Sequence, residues 1–258
     1  MNKVEVYIDF EAITNPFASI IKVPNDTPFA YSIGLLNKQN LFQSSTFIVD
    51  FGRHSNKNSI LEIIKKSIEK DIKRINPNVT MEDVVFVGHN PVLERKILLK
   101  IFPDNEVIAL LPKIRGQDIS LSKLAYKKFS NKKFFVTLKE EISKNEGLTF
   151  IKNQVIAKDG MAANYAGYLL FLNSAKGNKQ TDKRYKLFIP ISTRILINEI
   201  RNYSRDDVLK MCYVINIENL EHEMKKIQLK DRLINLIKIL DINKDLKVSE
   251  LIEKIWEM

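Results

Sequence analysis

Cysteine occurs once in the 258 residues, at position 212, so the chain can build neither a disulfide framework nor a multi-cysteine zinc site. A reducing compartment fits that scarcity, and Cys212, in an apolar segment of helical character, is expected in the core. Histidine is nearly as rare. His54, His89 and His222 are scattered, with no H-x-x-x-H spacing to hold zinc. No run of about 18 apolar residues occurs, and strand-like sequence follows directly after Met1-Asn2-Lys3, so a soluble, cytoplasmic protein with no membrane partner is expected. The absence of a glycine-rich phosphate loop and of a G-x-S-x-G elbow removes kinase and serine-hydrolase readings. No internal repeat or low-complexity linker is present.

What the chain has in surplus is positive charge: 41 Lys and Arg against 31 Asp and Glu, a net +10 and a pI of about 9.4. Such a surplus points to an anionic partner, because lysines that neutralise phosphates release condensed counterions; a solvated lysine-rich face is the competing reading. The length suits one α/β domain with a small appendage, expected as a domain over 1–220 and a helical extension over 221–258.

Val4, Val6, Ile8 and Phe10 alternate with Glu5, Tyr7, Asp9 and Glu11, which predicts a two-faced strand. Runs 29–36 and 45–51 continue it as antiparallel strands. Ser59 and Glu62 have capping-box spacing ahead of a helical stripe of Ile60, Ile64, Ile68, Ile72 and Ile75. Val84–Val87 reads as a buried parallel strand, followed by Asn90 as N-cap, Pro91 at the first helical position, and a helix over 92–102. A further strand at 107–111 and a helix over 121–129, capped by Asp118, repeat the unit. Beyond Thr137 the pattern is helical, including 161–172 with its small residues, a segment from Thr193 through Leu220, and the tail. The expected fold is therefore α/β, a mixed sheet flanked by helices.

On an extended strand Asp9 and Glu11 point to one side, their Cα atoms about 6.5–7 Å apart, close enough for both carboxylates to serve the same cations. Solvent-facing acids paired with lysines are the ordinary alternative. Glu94 falls in the first turns of a helix leaving a buried strand, a place where sites are built and where the helix dipole also favours an acid. Tyr203 and Asp207 are four apart and share a helix face. Each feature alone is common; their order and context are not.

In that order the residues resemble the DEDD (DnaQ-like) 3′→5′ exonuclease superfamily. Ile8-Asp9-Phe10-Glu11 is similar to its first motif, Asn90-Pro91-Val92-Leu93-Glu94 to its second, and Tyr203-Ser204-Arg205-Asp206-Asp207 to its third in the Tyr-x-x-x-Asp form. Asn202 stands where the other subtype has histidine. Ala12 and Glu94 depart from the usual Thr and Asp. The resemblance spans residues 4–215 and implies a ribonuclease-H-like sheet with a C-terminal helical extension. With only about fifty residues after the third motif, no polymerase domain is expected.

The resemblance further implies hydrolysis of DNA or RNA with two Mg²⁺ ions, or Mn²⁺, about 3.5–4 Å apart. Asp9 would bridge them, Glu11 and Asp207 would hold the first, and Glu94 would act on the second. Tyr203 would orient the attacking water. The partner expected is nucleic acid with single-stranded 3′ ends, contacted by Phe10, Asn90, Lys127 and Lys128, with Lys132 and Lys133 or Lys176, Lys179, Lys183 and Arg184 as further cations. The alternative is an inactive binding module of the same fold.

Overall fold

In the computed structural model, which describes residues 3–114, 116–175 and 181–239, the two-faced stretch near the start forms strand β1, Val4–Ile13. Val6, Ile8 and Phe10 are buried on one side. β2 (Thr27–Leu36) pairs antiparallel with β1, setting Asp9 opposite Ser32, and β3 (Phe42–Ile48) pairs antiparallel with β2. On the other side of β1 lie β4 (Val84–Gly88) and then β5 (Val107–Ala109), both parallel to it. The order β3-β2-β1-β4-β5 makes a mixed five-stranded sheet with β1 at its centre. This is an α/β architecture compatible with a ribonuclease-H-like sheet.

Several boundaries differ from the sequence expectation. β2 starts two residues early, because a bulge after Glu11 brings Pro28 opposite Ala12. β3 ends at Ile48; beyond it Val49 still donates to the Phe29 carbonyl, after which Asp50 turns the chain by accepting from Gly52 N–H. The first long helix, α2 (Lys57–Ile75), follows the short α1 (Phe17–Ile21) and is capped by Asn56, whose side chain accepts from Ser59 N–H at 3.0 Å. Ser59 and Glu62 are thus inside the helix, and Glu62 bonds Lys66 one turn on rather than closing a capping box. The isoleucine stripe of α2 covers the sheet as expected, beside Ile97, Leu98 and Ile101 of α3 (Val92–Ile101).

The helix expected at 121–129 is broken into α4 (Leu121–Leu124) and α5 (Tyr126–Phe129). Ser120 caps α4, while Asp118 pairs with Lys113 at 3.3 Å instead. Then come α6 (Val136–Lys144), α7 (Thr149–Ala157) and α8 (Asp159–Ser174). The last described helices are α9 (Thr193–Ile215) and α10 (Leu220–Ile239). α10 opens the expected extension and is seated on the domain by Met224 and by Gln228, which donates to the Ile114 carbonyl. The rest of that extension, 240–258, lies outside the described residues. None of the described helices is long and apolar enough to cross a membrane.

α8 is buried on nearly all sides and packs against β1, its small residues leaving room for side chains that reach it from the sheet. A Cβ at Gly167 would stand 2.5 Å from the ring of the fully buried Phe29. Gly167→Ala is therefore expected to lower stability by about 1–3 kcal/mol despite the better helix propensity of alanine. Urea unfolding checks this, with an unchanged or raised midpoint as the contrary result.

Candidate metal centre

The face of β1 opposite the isoleucine helices carries Tyr7, Asp9 and Glu11, and α9 packs across it with Val208, Met211 and Val214. Two features bring α9 close. Gly34 of β2 leaves room where a side chain would stand 2.8 Å from Val208 and 2.2 Å from the Phe42 ring. Ser204 of α9 is fully buried and donates to Ser32 Oγ at 2.9 Å. Ser32 is the β2 residue opposite Asp9, so this bond sets the register of α9 over β1. One turn after Tyr203, Asp207 then reaches the β1 acids.

Asp9, Glu11 and Asp207 each offer a carboxylate oxygen within 4.8 Å of the others. Glu94, in the first turn of α3, is buried and accepts from Phe10 N–H at 3.3 Å, which ties its carboxylate to the same strand. It lies outside the tight trio, although its charge acts on both Asp9 and Glu11. Pro91 takes the N-cap position of α3; Asn90 is exposed and contributes its carbonyl to Val92 N–H, not a side-chain cap.

Four acids so close raise one another's proton affinity. Burial, then Glu11, Asp207 and Glu94, hold the Asp9 carboxyl well above the usual range. Burial and the charges of Asp207 and Glu94 push Glu11 up to about 8. Burial also raises Glu94, against the hydrogen bonds it accepts, and Asp207, against Lys210. Glu11 Oε1 is buried without a hydrogen-bond partner. A buried, unpartnered carboxylate oxygen facing two other carboxylates is costly unless a cation joins it. The all-oxygen donor set suits a hard divalent ion, so the trio could hold a metal.

Tyr203 packs against Phe134 and Phe135, its hydroxyl beside Gly160 at the start of α8. Burial and the surrounding acids Glu11, Asp207, Asp9 and Asp159 drive its phenol well above its ordinary value. It stays protonated and can only donate or accept a hydrogen bond, not serve as a base.

No family model, curated protein or solved structure matches the chain.

Several residues around the site escaped the sequence reading. Lys210 is buried and places its ammonium 2.8 Å from Asp207 and 3.1 Å from Asp206. Asp206 is buried as well and pairs with Lys132. Asp159 pairs with Lys139 and adds its charge to Tyr203 and Asp207. The Asp206-Asp207-x-x-Lys210 spacing was a visible signal, since i,i+3 and i,i+4 neighbours share a helix face.

The structure corrects the expectations for Phe10 and Cys212 and locates the candidate cations. Phe10 is core, edge-on to Tyr31 with 4% of its surface exposed, and has no face free to stack on a base. Cys212 is half-buried, not core. Lys127 and Lys128 are exposed on α5, Lys128 over the Tyr213 ring. Lys132 and Lys133 follow on the same segment. Arg184 is engaged by Asp182, Lys183 is exposed, and Lys176 and Lys179 lie outside the described residues.

Proposed function

We propose that the protein is a metal-dependent 3′→5′ exonuclease of the ribonuclease-H-like, DEDD kind, acting on DNA or RNA. The observation that carries this reading is the meeting of Asp9, Glu11 and Asp207 around the unpartnered Glu11 oxygen, beside a protonated tyrosine. The strand order and the sequence order of the motifs support it.

Asp9, Glu11 and Asp207 would hold Mg²⁺ or Mn²⁺, with Glu94 joining directly or through water. Divalent ions held there would supply Lewis-acid chemistry, a lowered pKa for a coordinated water and a counter-charge for the leaving 3′ oxygen. The protein's own part is positional. Asp9 and Glu11 are set by the pleat of β1, Asp207 by the Ser204–Ser32 bond, and Glu94 by its bond to β1. Lys210 holds Asp207 from behind, and Tyr203 offers a hydroxyl to orient water. Glu11 and Glu94 are buried while Asp9 and Asp207 keep part of their surface open, so charge interactions are strengthened at a site that solutes can still reach.

Incubation of purified protein with 5′-labelled single-stranded DNA and RNA in Mg²⁺ or Mn²⁺ tests the reading. The expected result is a ladder shortening from the 3′ end that EDTA abolishes. Strand binding without cleavage in either metal would overturn the enzyme and leave a binding module. Tyr203→Phe is expected to slow cleavage about tenfold, the worth of one hydrogen bond of about 1–1.5 kcal/mol, while Mg²⁺ dependence stays the same. A loss as large as that from a ligand variant would assign the tyrosine a larger role.

A further inference from the structure

A cleft of about 430 Å³ opens between α4, α5, the end of α9 and α10, and none of its lining residues belongs to the site above. Lys123, Lys127, Lys226 and Lys230 line it together with Tyr126 and Tyr213, against two acids, Glu218 and Glu223. Tyr126 is 67% exposed, so its ring is open to a partner. Lys123 is answered by Asp231 and Lys226 by Glu223 at 3.7 Å; among the described residues Lys127 and Lys230 have no acidic partner. Cations alternating with an exposed ring are what a single strand needs, since lysines follow its phosphates and any base can stack on an aromatic face.

One packed segment links the cleft to the carboxylate site. Segment 126–135 runs back along α9, contacting it at successive turns: Lys128 and Phe129 on Tyr213, Lys132 on Asp206, Phe134 on Lys210, and Phe134 and Phe135 on Tyr203. From Asp207 to Asn216, which lines the cleft, is about 13 Å at 1.5 Å per residue. That separation corresponds to a few nucleotides of strand, leading from the acids past Lys132, Lys133, Lys128 and Lys127 into the cleft.

We propose that this cleft is a phosphodiester-strand subsite, built by α10 against α4 and α5, that grips the substrate a few nucleotides upstream of the cleaved end. The proposal rests on the nuclease reading above and adds the route of the strand. Two lysines come from α10, so the helical extension has a role in binding and is not mere packing.

The test is strand binding in EDTA, measured by fluorescence anisotropy of end-labelled oligothymidylate and oligouridylate over a range of salt. The variants are the triple Lys127→Gln, Lys226→Gln, Lys230→Gln, the single Tyr126→Ala, and a control triple Lys38→Gln, Lys70→Gln, Lys73→Gln at other exposed lysines. For the cleft triple, the slope of log K against log salt is expected to fall by about 2, at ~0.7 for each phosphate that is no longer neutralised, with affinity at least tenfold weaker. Tyr126→Ala should weaken binding about fivefold or more with the slope unchanged, as loss of stacking predicts. The control triple should bind more tightly than the cleft triple and keep the greater part of the slope. The relative loss with the two labelled strands tells whether DNA or RNA is preferred. If the cleft triple keeps the affinity and slope of the unmodified protein while that protein cleaves, the cleft is overturned and the exonuclease stands. If the unmodified protein neither binds nor cleaves either strand, both are overturned.

Discussion

Asp9→Asn and Asp207→Asn are both expected to lower cleavage by about a thousandfold or more, yet to move the stability of the metal-free protein in opposite directions. The rate loss follows from removing a ligand oxygen whose ion supplies several kcal/mol of charge stabilisation at roughly 1.4 kcal/mol per factor of ten. The stability split follows from the neighbours. Asp9 is surrounded by Glu11, Asp207 and Glu94, with Lys210 the one opposing charge acting on it. Replacing it by an amide of the same shape relieves repulsion and desolvation together, a gain of about 1–3 kcal/mol. That corresponds to roughly 2–4 °C in Tm per kcal/mol for a chain of this size. The gain should grow as the pH rises, because burial and the neighbouring acids hold the Asp9 carboxyl well above its usual range and the repulsion appears as it loses its proton. Asp207 differs in having Lys210 at 2.8 Å. Its replacement leaves a buried ammonium with Asp206 alone, so Tm should fall. Thermal scans in EDTA beside the cleavage assay decide the matter. Two variants that both lose stability would mean that the acids are held by pairing and not by an absent cation.

The split also marks what could be read in the sequence. β1, its two faces and its acids were legible because a period of two states which side each residue takes, and Ile60 to Ile75 announced their helix by a period near 3.6. Tyr203 and Asp207 were legible because a four-residue spacing needs no tertiary knowledge. Lys210 carried the same kind of local signal; the pairings of Lys132 and Asp159 did not, since joining a lysine to an acid across 74 positions, as Lys132 does with Asp206, depends on how α9 lies over the sheet. Ser204 reads as an ordinary helix residue until Ser32 appears beneath it.

Two of the misjudged caps share a physical cause. Asn56 and Ser59 are both competent N-caps three residues apart, as are Asp118 and Ser120 at a spacing of two, and the side chain that caps is the one whose backbone turns extended at that point. Local chemistry offers both members of each pair, and the loops leading in from β3 and β5 choose. Phe10 was ambiguous for a related reason: a ring on β1 is equally consistent with core and with a base platform until the face occupied by α2 is known. The exposed ring that the structure does present, Tyr126, lies on a helix too short for periodicity to reveal.

Raising the pH from 5 to 8 in EDTA is expected to lower the stability of the protein, and Mg²⁺ to restore it by an increment that grows over the same interval. Glu11 carries the argument. Its folded pKa, pushed up to about 8, stands above the ordinary value of 4.5 that it regains on unfolding. Between those values the folded state keeps a proton that the unfolded state gives up, so stability is fully present below about 4.5 and is lost as pH rises toward 8. At ~1.4 kcal/mol for each pH unit between the two values the loss is on the order of a few kcal/mol, and Asp9, raised for the same causes, adds to it. A divalent ion binds the deprotonated carboxylates, so its binding releases protons at neutral pH and removes the repulsion that burial created. Titration calorimetry of Mg²⁺ or Mn²⁺ in buffers of different ionisation enthalpy counts those protons directly, and at pH 7 about one or more per protein is expected. Glu11→Gln should bind the ion more weakly and flatten the pH dependence in EDTA, because the group that titrates is gone. A stability in EDTA that is level or rises from pH 5 to 8, or a Mg²⁺ increment equal at both ends, would show that Glu11 already has a partner in the folded protein and that the trio is not built around a cation.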